Sequence, residues 1–157
     1  MEAENIETLY KAHAPVILLY LRRLVGNGDM AADLLQETFA TALSSEKNLR
    51  KAASARGWLF GVARNLGLNA IRRKKVLSPL DIDPPAADAQ EDERLEQMWK
   101  AIGGLPDVLR ETLRLKLQQE LSYEEIATVL SIPVGTVRSR LHHAVRRLRE
   151  RMQESKA

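Results

Sequence analysis

The sequence predicts an all-α fold: two small helical domains joined by an acidic, proline-rich linker, the second domain carrying a helix-turn-helix. Three observations lead there. Apolar residues make up 45% of the 157 residues but aromatics only 4%, so the cores must be built from Leu, Ile, Val and Ala. Those residues recur at helical spacing, and no alternating β-branched run of the kind a strand needs is present. Residues 77–91, LSPLDIDPPAADAQE, contain Pro79, Pro84 and Pro85, and the Pro-Pro step forbids a helix across it. The first domain is therefore expected at 1–76, the linker at 77–91 and the second domain at 92–157.

The first domain reads as three helices. Ile6, Leu9, Tyr10, His13, Val16, Ile17, Tyr20, Leu21 and Leu24 form a long apolar stripe of 3.6 period. Pro15 lies inside it and is expected to kink or split it. Gly26-Asn27-Gly28 ends it, as a C-terminal glycine does. A second helix follows from Met30 to Leu43. Its segment Asp33-Leu34-Leu35-Gln36-Glu37-Thr38-Phe39 puts Asp33, Gln36, Glu37 and Ala40 on one face, with Leu35, Phe39 and Leu43 pointing elsewhere. Spacing alone makes this an ordinary amphipathic helix. Lys47 to Ala53 reads as a polar, basic loop. Ser54 then caps a third helix that runs to Lys75 and buries Trp58, Leu59, Val62, Leu66 and Ala70 on one side. Its Arg72-Arg73-Lys74-Lys75 end suits the helix dipole. Trp58 lies in the apolar stripe and reads as core. Arg64, Asn65 and Asn69 are less easily explained by packing, and aromatics interleaved with Arg and Asn suit the stacking of single-stranded bases.

Charge is strongly segregated. Residues 1–76 hold 12 Lys/Arg against 7 Asp/Glu, residues 77–97 hold one against 7, and residues 98–157 hold 11 against 7. Two basic blocks around an acidic stretch point to two modules that face nucleic acid. The fifteen linker residues span at most about 50 Å when extended. One helical turn of DNA measures about 34–36 Å, so two separate DNA elements are within reach.

The second domain carries the most informative stretch, LSYEEIATVLSIPVGTVRSRLHHAVRRLRER from Leu121 to Arg151. Ser122 and Glu125 form an S-x-x-E capping box, and Ile126, Ala127 and Leu130 give the helix it starts an apolar face. Ser131-Ile132-Pro133 breaks that helix, and Pro133 suits the first turn of the next. Val137, Leu141, Val145 and Leu148 then mark a buried face. Gly135, Thr136, Ser139, His142, His143 and Arg146 lie opposite, flanked by Arg138 and Arg140. A short capped helix, a tight turn and a basic polar helix is the arrangement that places side chains in a DNA major groove.

Other classes find little support. The chain has no cysteine, which removes disulfides and thiolate metal sites. No apolar run approaches the length of a membrane span, and acidic residues follow Met1 where a signal peptide would be basic. A cytoplasmic protein with no membrane insertion is expected. Of three histidines, His142 and His143 are adjacent and diverge by about 100° on a helix. His13, on an apolar stripe, reads as a core or interface residue. No paired-carboxylate or Ser/His/Asp pattern stands out, so no catalytic site, metal or cofactor is expected. An autonomous helix-turn-helix regulator remains as an alternative. It explains the second domain but leaves the first without a role.

DLLQETF, WLFGVARN and LSYEEIATVLSIPVGTVRSRL, in that order, resemble the extracytoplasmic-function (ECF) sigma factors of the sigma-70 family, and the resemblance covers nearly the whole chain. It implies a bacterial alternative sigma factor whose partners are core RNA polymerase and promoter DNA. Many relatives are held inactive by an anti-sigma factor, which adds that class of partner. The resemblance assigns Asp33, Gln36 and Glu37 to the surface that grips core polymerase. Lys47, Asn48 and Arg50 match a loop that captures a flipped-out promoter base. Arg64, Asn65, Asn69, Arg72 and Arg73 match the helix that melts and reads the minus-ten element. Thr136, Arg138, Ser139 and Arg140, with His142 and His143 further along the same face, match the helix that reads the minus-thirty-five element. Two positions depart from the family pattern. Ser131 stands where the family usually has Gly, a substitution with a cost if φ is positive. His143 stands where Arg is frequent, and imidazole cannot make the two-pronged contact to guanine that Arg makes.

Overall fold

The computed structural model describes residues 5–74 and 93–154, and among them every regular element is an α-helix. The chain falls into two compact units, one built on α1–α4 and the other on α5, α6, α8 and most of α7. The acidic proline-rich stretch expected to be a linker, residues 77–91, lies outside the described residues, as does Lys75.

In the first unit, α1 (Ile6–Val25) starts on Asn5, whose side chain accepts the Thr8 N–H at 2.8 Å. It ends on Gly26, in the left-handed region at φ 70°, whose N–H donates to the Arg22 carbonyl at 2.9 Å. Asn27 then caps α2 (Gly28–Ser44) by accepting the Met30 N–H. A two-residue stop-and-start thus turns the chain back on itself. Pro15 sits inside α1, on its exposed side, and does not split the helix.

The basic segment after α2 is a correction to the expected loop. Glu46–Lys51 forms a short helix, α3. Leu49 is buried beneath it, Glu46 and Arg50 pair at 2.7 Å one turn apart, and acid at its start with base at its end suits the dipole. Among the described residues up to Lys74 the chain therefore forms four helices where three were expected. The fourth, α4 (Ala55–Lys74), opens as expected on Ser54, which accepts the Gly57 N–H at 3.1 Å.

Helices α1, α2 and α4 pack pairwise around one core, with α3 against α2 and α4. The face α4 presents to it is rotated from the expected one by roughly 90°, about one residue on a helix. Leu59, Phe60, Ala63, Gly67 and Ala70 are buried, while Trp58, Val62 and Leu66 are only half-buried. Gly67 explains the rotation. A Cβ there would lie 2.5 Å from Leu24 Cδ2 and 3.6 Å from Leu21 Cδ2, so its absence lets α4 approach α1 along the small seam Ala63–Gly67–Ala70. Phe60 then enters the core whole and meets Tyr20 edge-on, with centroids 5.4 Å apart.

The second unit comprises α5 (Glu93–Gly103), α6 (Asp107–Leu117), the first five residues of α7 (Tyr123–Leu130) and α8 (Val134–Glu154). Its core includes Ile102, Leu105, Leu113, Leu115, Leu121 and Ile126, against which α8 turns Val137, Leu141, Ala144 and Leu148. Helix α8 packs on α5 and α6. The α5–α6 turn is held by Arg110, which donates to the carbonyls of Gly103 (3.1 Å) and Leu105 (3.4 Å) and pairs with Asp107. Gly104 leaves room for Arg151, whose guanidinium occupies the space a Cβ would take. The last turn of α8 thereby lies against the residue that follows α5.

Candidate nucleic-acid interface

The helix-turn-helix is assembled by local hydrogen bonds that its sequence specifies. The capping box is complete: Ser122 N–H donates to Glu125 Oε1 at 2.9 Å, and Glu125 N–H donates to Ser122 Oγ at 3.1 Å. Helix α7 closes with both bonds of a Schellman turn, Ile132 N–H to Ala127 O at 3.1 Å and Ser131 N–H to Thr128 O at 3.4 Å. Ser131 supplies the left-handed residue at φ 55°. The positive φ that makes glycine usual here is therefore present, and serine carries it. Glu120, at φ 53°, is the one other non-glycine residue with positive φ among those described, so the two bracket α7.

Left-handed backbone costs a non-glycine residue about 1–2 kcal/mol, offset in part by the entropy glycine would lose on folding. We expect Ser131→Gly to stabilise the protein by about 0.5–1 kcal/mol on that balance. Thermal unfolding of the two proteins measures it, and a lower melting temperature for the glycine variant would refute the strain account.

Pro133 sits just before α8, and its carbonyl accepts the N–H groups of Thr136 (3.0 Å) and Val137 (3.2 Å). The buried face of α8 differs from expectation at one position. Ala144 is buried and Val145 is 39% exposed, because the core meets the helix at steps of 4, 3 and 4. Arg138, Ser139, His142 and His143 are exposed on the other side, while Thr136 and Arg140 are half-buried. The imidazoles of His142 and His143 stand edge to face, 6.1 Å apart. Arg147 and Arg149 add exposed positive charge farther along, and Arg146 pairs with Glu150 at 3.9 Å.

In the first unit, Asp33, Gln36, Glu37 and Ala40 form an exposed row on α2, while Leu34, Leu35, Thr38 and Phe39 are buried beneath it. Leu43 is a second correction: expected to point elsewhere, it is 63% exposed and extends the row on its Gln36 side. The helical wheel contains that signal, since 36, 40 and 43 share a face. Lys47, Asn48 and Arg50 are exposed on α3, with Arg50 engaged by Glu46. On α4, Asn65, Asn69 and Arg72 fall in one exposed row, with Arg72 donating to Asn69 Oδ1 at 3.2 Å and Arg73 beside them. Arg64 is half-buried about a quarter turn away. Phe60 is not available to stack on bases.

Among the described residues no cluster of His, Asp or Glu could hold a metal ion, and no helix is long and apolar enough to cross a membrane.

Comparison with known proteins agrees with these two units. The family "Sigma-70 region 2" matches residues 9–76, and "Sigma-70, region 4" matches residues 95–148. The ECF RNA polymerase sigma factor SigL of Mycobacterium tuberculosis is 35% identical over 98% of this chain and 92% of its own length. The chain belongs to the ECF sigma factors of the sigma-70 family. RNA polymerase sigma factor YlaC of Bacillus subtilis is 31% identical over 98% of this chain and 95% of its own. The fold is also that of the Bartonella quintana sigma factor RpoE, solved with the anti-sigma factor NepR. Its TM-score is 0.69 at 22% identity, covering 96% of this chain and 98% of that one. As an ECF sigma factor the protein directs transcription initiation with RNA polymerase, and its family is one of transcription regulators rather than enzymes. The autonomous regulator accounts for region 4 alone and is not favoured, because region 2 is present as well.

Proposed function

We propose that this sigma factor divides its contacts between two faces of opposite charge. The exposed row of Asp33, Gln36 and Glu37 on α2 grips core RNA polymerase. Lys47, Asn48 and Arg50 on α3, with Arg64, Asn65, Asn69, Arg72 and Arg73 on α4, bind the minus-ten element. Thr136, Arg138, Ser139, Arg140, His142 and His143 on α8 bind the minus-thirty-five element. The observation that carries this reading is electrostatic. An acidic row is repelled by phosphate and suits a basic protein surface, whereas α8 exposes five arginines, Arg138, Arg146, Arg147, Arg149 and Arg151, against the two acids Glu150 and Glu154. Residues 1–76 and 92–157 serve as the two DNA-facing domains and residues 77–91 as their tether. The protein acts in the cytoplasm, where polymerase and promoters are. A repressing partner of the anti-sigma class, as in the Bartonella complex, fits the same fold.

Reversing the charge at Asp33 and Glu37 with lysine tests the polymerase assignment. Both side chains are exposed, so helicity by circular dichroism stays as it is. Affinity for core polymerase is expected to fall at least about 10-fold, the scale of losing and then opposing two interfacial charges. Unchanged affinity would remove α2 from the interface.

A further inference from the structure

The middle of α1 has no charged side. Residues 12–21, AHAPVILLYL, contain no Asp, Glu, Lys or Arg. Ala14, Ile17, Tyr20 and Leu21 are buried, and within the first unit the helices packed on α1 are α2 and α4. Ala12, Pro15, Val16 and Leu19 are exposed on the opposite side, Val16 at 41% and Leu19 at 45%. Their spacing of three, one and three residues makes a single ridge. A helical stretch that is apolar all round is one that is covered all round, and a contiguous apolar patch on a folded protein marks a contact surface. Ten residues are too few to cross a bilayer, so the cover is protein. The ridge belongs neither to the acidic row of α2 nor to the DNA-facing rows of α3 and α4, so no contact proposed above covers it.

Charge at the two ends of α1 points to the occupant. Glu7 stands in the first turn, exposed and 3.5 Å from Lys11, and Glu2 and Glu4 precede the helix in sequence. The last turn carries Arg22 and Arg23. Arg23 is half-buried, burial lowers its pKa, and no carboxylate pairs with it among the described residues. A ridge with an acid end and a basic end is complementary to itself when two copies lie antiparallel. We propose that α1 pairs with α1 of a second copy, antiparallel, about a two-fold axis between Pro15 and Val16. Ala12 of each copy then faces Leu19 of the other, and Pro15 faces Val16. At a rise of about 1.5 Å per residue, Arg23 comes level with Glu7 of the second copy. A parallel pair would set the arginines against themselves and lay the two helix dipoles side by side in the same sense. One pair of helices buries less than the roughly 1,200–2,000 Å² of a stable interface, so the dimer is weak and forms where the free factor is concentrated.

Sedimentation equilibrium of the full chain tests this, with Leu19→Glu for comparison. The wild type is expected to be monomeric at about 5 μM and to approach twice that mass at about 500 μM, the range of a small interface. Leu19 is exposed, so Leu19→Glu keeps its helicity by circular dichroism and is expected to stay at monomer mass throughout. A wild type still monomeric at the upper concentration overturns the proposal and leaves the ridge to a foreign protein. So does a dimer that Leu19→Glu leaves intact, for then α1 is not the contact. The chain has no cysteine, so introduced thiols report the geometry. With oxidised glutathione, Val16→Cys is expected to cross-link by itself. Ala12→Cys and Leu19→Cys are expected to cross-link only when mixed, since like positions then stand about 10 Å apart along the pair, beyond the reach of a disulfide. Ala12→Cys cross-linking by itself as readily as Val16→Cys would refute the antiparallel pair.

Discussion

Truncating Phe60 to alanine is expected to destabilise the first unit by about 3–5 kcal/mol, the usual cost of emptying a buried aromatic site. Phe60 is fully buried, and its edge-on contact with Tyr20 contributes part of that figure, about 0.5–1.5 kcal/mol. Small domains are held by only about 5–15 kcal/mol, so much of the unit's stability would be gone. The two tryptophans make the measurement specific, since Trp58 lies in α4 and Trp99 in α5. With Trp99 replaced by phenylalanine, urea unfolding followed by fluorescence reports the first unit alone, which matters because two units need not unfold together. A loss below about 0.5 kcal/mol, the range of surface substitutions, would mean that Phe60 is not a core residue and would reopen a role for it against bases.

The second large effect is expected at Arg138, in the first turns of α8 and exposed. That is the part of a recognition helix that reaches base edges. Replacing Arg138 with alanine should cost about 1–3 kcal/mol if its guanidinium forks onto one base, and should relax the preference at that base pair. A phosphate contact behaves differently. Affinity then falls uniformly across sequences, and the salt slope drops by about 0.9. Run-off transcription by the holoenzyme on a promoter library separates the two by whether the sequence preference changes. Transcription indistinguishable from wild type on every template would leave Arg138 a solvated charge.

What could be read from the sequence was what neighbours along the chain decide. Gly26 ends α1, Ser54 starts α4, and Ser122 with Glu125 starts α7, each through bonds spanning three or four residues. The acidic row on α2 was legible for the same reason, since periodicity alone puts Asp33, Gln36 and Glu37 together and leaves Leu35 and Phe39 beneath, although it set Leu43 apart from the row. The short helix α3 was not. Six residues are too few for a periodic signal, and the segment is anchored by the burial of Leu49. Neither α5 nor α6 was placed by the sequence. Tertiary structure chose the buried face wherever two faces were nearly equal in apolar character. On α4 the choice between the Trp58–Val62–Leu66 side and the Phe60–Ala63–Gly67 side turned on Leu24, a residue of another helix that needs the space glycine leaves. On α8 the choice between Val145 and Ala144 turned on α5 and α6. A helix end is satisfied by its own neighbours, whereas a buried face is defined by residues distant in sequence, and their placement is a property of the packed chain.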